Sequence, residues 1–314
     1  MVLASVLIVG AVVTSLLAPR LFRGLERTSA SPVGLLYVWW SALAGVGLSA
    51  VVALGAVLVP DRDDGSTPAH RFLTGCWTAL ASSRLHLHLV AAVVLGAVLA
   101  VGLLRLGRRV RRSRRAARDR AETTIGLLEP AGDWEQGVLW VEHREPLVFT
   151  IGGRTRAIVA TTGLRDRLSP AETDAVLAHE RAHLSGRHHL QVLLAETLGA
   201  TFPMLPLFRQ APVAVRRLIE LAADDEAAGS VGADVVRRAL VTVAARGRIG
   251  LPPAALGAAA AATELRLARL ARPVRRPARP ARLGEQACFV AAGALIPVVA
   301  GTGALAALAL VSCL

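Results

Sequence analysis

The chain has 314 residues, 54% apolar and 19% charged, with a formal charge of +13. Ordinary soluble domains carry about a quarter charged residues, so this balance and a mean hydropathy of +0.50 exclude a simple water-soluble globule and point to a membrane protein. Every basic residue is arginine, as in proteins of GC-rich bacterial genomes, and the three cysteines lack metal-ligand spacing, which argues against a cysteine-based zinc site.

Four stretches are apolar enough to cross a bilayer as helix, which takes about 20 residues: Val2 to Leu17, Val33 to Val59, Leu87 to Leu104 and Cys288 to Leu314. The first has no basic leader, and its charge follows at Arg20 and Arg23, so it is expected to be an uncleaved span. Arginines cluster from Arg105 to Arg120 and from Arg266 to Arg282, beside the third and fourth stretches. The positive-inside rule then puts residues 105–282 in the cytoplasm, both termini outside, and the acidic loop with Asp61, Asp63 and Asp64 outside. The basic runs have no aromatic interleaving, so the expected partner is anionic lipid of the bilayer and no nucleic acid is expected.

The expected organisation is three transmembrane helices over 1–106, a basic linker over 107–129, a compact domain over 130–285 and a last span over 286–314. Pro130-Ala131-Gly132-Asp133 breaks any preceding helix. Gly137 to Glu142, Leu147 to Ile151 and Ala157 to Thr161 are β-prone, with a hairpin turn at Gly152-Gly153. Ser169, Pro170 and Glu172 form a capping box, predicting a helix from Ser169 through His183. His189 to Phe208 reads as a helix lying on or dipping into the membrane. Val213 to Val231 reads as a helix opened by Pro212, and Ala254 to Leu270 as a packing helix.

The chemistry sits at His179-Glu180-Arg181-Ala182-His183, an HExxH pattern. On a helix, positions i and i+4 share a face, so His179 and His183 can hold one Zn²⁺ while Glu180 overhangs the attacking water as its general base. Two third ligands compete. HERAHLSGRHH also fits HExxHxxGxxH, with Gly186 at the turn and His189 as the alternative metal ligand. The favoured choice is Glu220, with Asp224 one turn on to orient a ligating histidine. No convincing Met-turn follows the histidines, since Met204 lies between prolines, and His188-His189 fall where a helix meets the bilayer surface. Asp225 and Glu226 read as solvated, Glu196 and His143 are spare candidates, and the oxyanion partner is left among His188, His189 and an arginine.

The runs Phe149-Thr-Ile-Gly-Gly, Ala157-Ile-Val-Ala-Thr-Thr-Gly-Leu, Leu168 through Leu184 and Glu220-x-x-Ala-Asp resemble the peptidase domain of BlaR/MecR-type integral membrane metalloproteases, relatives of the HtpX and CAAX prenyl protease group. The resemblance implies that His179, His183 and Glu220 bind zinc, Glu180 is the catalytic base and Asp224 supports the site. It also implies a mostly α fold, with multi-span membrane helices and a zincin-like α+β cytoplasmic peptidase domain. The chain ends at Leu314 without the penicillin-binding sensor of those receptors, so antibiotic sensing is not carried over. The expected function is zinc-dependent endoproteolysis of a regulatory or membrane protein, with a protein or peptide as substrate, by a multi-pass protein of the cell membrane. A substrate could lie as an added strand on Leu147 to Ile151 or on Ala157 to Thr161. The alternative is an inactive scaffold or signalling pseudo-protease with a structural zinc. The topology also puts Cys76 and Cys313 outside, where they either pair or remain small apolar fillers. If they pair, both resist alkylation in native membranes until reduced; labelling of both thiols without reductant excludes the bond.

Overall fold

Two apolar helices lead the chain, α1 (Val2–Glu26) and α2 (Pro32–Leu58), packed along each other. They are the two helices among the described residues that are long and apolar enough to cross a membrane. The computed structural model describes residues 2–26, 31–58, 84–152, 156–244, 253–271, 291 and 295–303. Gly153, Cys76, Cys313 and most of the expected fourth span lie outside them.

Helix α3 (Arg84–Leu128) is continuous for 45 residues and contains both the expected third span and the segment expected as a linker. Arginine, alanine, glutamate and leucine are good helix formers, and the next proline is Pro130. At about 1.5 Å per residue the helix is about 67 Å long, roughly twice the hydrocarbon core of a bilayer. Its last turns reach the four-stranded sheet, where Ile125 is buried against Leu139, Ile151 and Val159.

A 3-10 turn, Glu129–Ala131, leads into strands β1 (Gly132–Glu135), β2 (Val138–Val141), β3 (Val148–Ile151) and β4 (Ala157–Thr161). Strand β1 was not expected from the sequence. It pairs with β2 through a two-residue turn in which Gln136 (φ 50°) and Gly137 (φ 78°) both take left-handed backbone, the type I′ geometry that matches strand twist. Spatial order is β1-β2-β4-β3, with β2 and β4 parallel and β3 antiparallel to β4. Strand β4 is therefore internal, hydrogen-bonded on both sides, and cannot take a substrate strand; of the two expected candidates β3 forms the edge. Side chains alternate across the sheet. Val138, Trp140, Ile158 and Ala160 face the core under the next long helix, whereas Leu139, Ala157 and Val159 face α3.

After the short α4 (Thr162–Arg165), helix α5 (Pro170–Ser185) starts as the capping box predicts. Ser169 Oγ accepts from the Glu172 amide at 3.3 Å, and Glu172 accepts from the Ser169 amide at 2.9 Å. Helices α6 (His188–Thr201) and α7 (Pro206–Val231) form a hairpin. The proline expected to open the second of these, Pro212, lies inside α7, which starts at Pro206 instead. Gly199 on α6 makes room for it, since a Cβ there would come within 3.0 Å of the Pro212 ring. Gly232 (φ 94°) ends α7, and α8 (Ala233–Ala244) and α9 (Pro253–Leu270) follow.

The largest core joins the leading helices to this hairpin. Phe22, Leu35, Trp39, Leu43 and Val46 pack on Leu207, Phe208, Val215, Leu218 and Ile219. Polar ties reinforce the contact: Arg217 pairs with Glu26, and Trp40 Nε1 donates to Gln191 Oε1 at 3.1 Å. The amide of Gln191 then donates to the carbonyl of Gly186 at 3.1 Å, at the end of α5. On the sheet side, Leu164 is fully buried between sheet and α5. Leu164→Ala is expected to cost about 2–5 kcal/mol of stability, read as an earlier unfolding transition of the purified protein in detergent.

Candidate metal centre

Helical spacing puts His179 and His183 on one face of α5, with their Nε2 atoms 3.0 Å apart. Helix α7 crosses α5 and brings Glu220 to the same point, its carboxylate oxygens 3.5 Å from His179 Nε2 and 3.6 Å from His183 Nε2. One ligand atom from each of the three residues lies within 4.8 Å of the others. Two nitrogens bound at about 2.0–2.1 Å to one tetrahedral zinc sit about 3.3 Å apart, so the cluster needs to open by only a few tenths of an ångström to hold the ion. Two imidazoles and a carboxylate also suit zinc chemically.

Both histidines have their outer nitrogens backed. Asp224 Oδ1 lies 3.0 Å from His179 Nδ1, a contact too bent to count as an aligned hydrogen bond. His188 Nδ1 lies 3.0 Å from His183 Nδ1. For His183 Nε2 to keep its lone pair for a metal, His183 Nδ1 carries the proton and donates to His188. His188 is therefore not a bilayer-surface residue as its sequence position suggested; it is 7% exposed and held neutral, its pKa lowered to about 4 by burial and by His183.

His189 is not brought to the cluster. Its ring lies flat against Gly152 at the end of β3, where an added Cβ would come 2.5 Å from His189 Cγ. Gly186 does not make the turn that the HExxHxxGxxH reading requires, because its backbone is right-handed helical (φ −74°). The left-handed residue is Arg187 (φ 50°, ψ 39°). Glycine is needed at 186 for space, since a Cβ there would lie 2.3 Å from His188 Nε2. The spare candidates are elsewhere: Glu196 pairs with Arg216, and His143 sits in an exposed loop accepting from the Glu145 amide. Asp225, expected to be solvated, is paired with Arg269 at 2.8 Å.

Arg266 was counted in the sequence as flanking charge, and it belongs to the site instead. From α9 it grips Asp224 through both oxygens at 2.7 Å and reaches Glu220 at 3.3 Å. Burial alone would raise the carboxyl pKa of Asp224 and Glu220, but Arg266 and His179 hold both below their usual value. Burial also opposes charge on His179, yet Asp224 and Glu220 outweigh it and raise that histidine to about 9. Burial lowers His183 and raises Glu180. Glu180, His179, Glu220 and Arg266 line a cavity of about 220 Å³ together with Val148 of β3.

Residues 130–217 match peptidase family M48. Two similar curated proteins are both named protease HtpX homolog 2. The one from Methanosarcina mazei is 44% identical over 62 residues, covering 19% of this chain and 21% of that protein. The one from Methanosarcina acetivorans is 49% identical over 61 residues, with the same coverage of 19% and 21%. The chain thus spans about a fifth of the length of these relatives. No solved structure matches it. The family match stops at residue 217, short of Glu220, Asp224 and Arg266.

Two outcomes are expected. Gly186→Ala drives a methyl group into His188, loosening its hold on His183, and should weaken zinc binding about 10–100-fold in a competition titration. In the metal-free protein, the raised His179 contributes stability that is complete below pH 6.5 and lost as pH climbs through about 9. Its thermal transition should therefore fall over that window, and Asp224→Asn should flatten the dependence.

Proposed function

We propose that the chain is a membrane-anchored zinc endopeptidase of the M48 type. The observation that carries this reading is the convergence of His179, His183 and Glu220, each histidine oriented from behind by Asp224 or His188. In it, His179, His183 and Glu220 hold the metal, Glu180 is the base, and Asp224 and Arg266 position the ligands. When bound, zinc supplies a Lewis acid that lowers the pKa of water towards about 7 and polarises a carbonyl.

The side chains account for the proton movements. Glu180 sits beside the cluster in the same cavity, with its carboxyl pKa raised by burial, as suits a group that takes a proton from attacking water. It then delivers that proton to the nitrogen of the leaving amine. The edge strand β3 borders the cavity through Val148, so an extended substrate can add to it as a further strand. The substrate class is a polypeptide, a soluble regulator or a membrane protein near the bilayer. The basic flanks support a cytoplasmic site with both termini outside, in a multi-pass arrangement with α3 and the C-terminal stretch as further spans. In this reading the likeness to BlaR/MecR-type proteins extends to the peptidase unit, not to drug sensing.

Glu180→Gln is expected to lower peptide hydrolysis by about 10²–10⁴-fold with zinc content unchanged, measured by metal analysis of the purified protein. Glu220→Ala should lose both activity and zinc, and His189→Ala should keep its zinc. Full zinc occupancy in Glu220→Ala, with loss in His189→Ala, would overturn the ligand assignment. Comparing the proteomes of cells carrying wild type and Glu180→Gln should reveal the substrate as the protein that accumulates.

A further inference from the structure

Behind the metal centre lies a second cavity, of about 430 Å³, between the arginine-rich part of α3 and the first turn of α6. Arg114 and Arg118 enter it from α3, Arg156 from the approach to β4, and Arg187 and His189 from the head of α6. Among the described residues, no carboxylate lines it. Some arginines elsewhere are neutralised at close range, as in Arg165 with Glu135, Arg217 with Glu26, Arg266 with Asp224 and Arg269 with Asp225. Among the described residues, the four cavity arginines form no ion pair with an acid. All four are exposed, and guanidinium groups drawn from three separate elements concentrate positive potential that attracts an anion to the cavity.

We propose that this cavity is a binding site for a phosphate-bearing ligand. Guanidinium forks match phosphate oxygens in pairs, and the head of the 14-residue α6 adds the positive end of a helix dipole. Leu190 and Leu193 supply an apolar wall for the remainder of the molecule, and the volume falls within the range of small-molecule sites. Gly152 holds the His189 ring at the cavity wall, leaving no room for a Cβ in between. The metal centre is not involved: His188 turns to His183, while its neighbours Arg187 and His189 line the cavity.

Two sources of phosphate are available, lipid headgroups and soluble esters. Both present the phosphate oxygens that the arginines recognise, and the experiment below distinguishes them.

The test is a titration of the full chain in phosphatidylcholine nanodiscs with inorganic phosphate, followed by phosphorus NMR line broadening. Saturable broadening is expected, and Arg114→Ala with Arg118→Ala should weaken it by at least about tenfold. The matched control, Arg108→Ala with Arg109→Ala, removes the same charge from the same helix outside the cavity and should change it less than about twofold. Equal loss in both double variants would mean diffuse attraction and would overturn the site, as would wild-type binding in Arg114→Ala with Arg118→Ala. Repeating the titration in discs containing phosphatidylglycerol separates the sources. Persistence of phosphate binding identifies a soluble ligand, and competition by the lipid identifies a headgroup.

Discussion

Asp224 is 1% exposed and keeps its charge at that depth because Arg266 grips both of its oxygens. An unpaired carboxylate there would be protonated or would force the helices apart, and removing one partner from such a pair typically costs about 3–5 kcal/mol. The pair fixes α9 against α7, sets the carboxylate behind His179 and brings positive charge to Glu220. The orientation of His179 thus rests on one bidentate contact, while a second, Arg269 with Asp225, shares in holding α9 on α7. The rest of the cavity wall, from Val236, Ala239 and Leu240 on α8, closes around it.

The two histidines are supported unequally. Behind His179 stands an anion, which favours a positively charged ring. Behind His183 stands a buried neutral imidazole, which can only accept a proton shared along a hydrogen bond. A carboxylate makes its partner more electron-rich than an imidazole does, so the two histidines would offer a metal different basicity. Glu180 is adjacent in sequence to the ring backed by the anion.

What was legible in the sequence follows from locality. The HExxH spacing, the Ser169 capping box and the one-turn interval between Glu220 and Asp224 are all set within a turn or two of helix, and each appears where its pattern predicts. Arg266 lies 42 residues from Asp224, in a stretch whose arginines read equally well as membrane-flanking charge, so only tertiary packing reveals it. His188 was hidden differently: side-chain direction at the head of α6 depends on the left-handed turn at Arg187, a residue type that seldom adopts it. Strand order was out of reach because β2 pairs in parallel with β4 across an intervening strand, and nothing local distinguishes an edge from a centre. Strand β1 is four mostly polar residues that read as a helix breaker and are held by their hairpin partner and by the pairing of Glu135 with Arg165.

The core shared by α7 and the two leading helices bears on where this protein can be assembled. The helix that delivers Glu220 is held on its opposite flank by Phe22, Trp39 and Leu43, and the sheet is covered on one face by the end of α3. An excised fragment starting at residue 130 would present Leu207, Val215 and Leu218 to water and leave Glu220 on an unsupported helix. The sheet, the helices that carry the cluster and the two leading helices are therefore one folding unit, in which the leading helices act as an internal template. A chain caught before those helices have docked lacks Glu220 in position beside His179 and His183, so the three-residue cluster is completed only once the leading helices are in place.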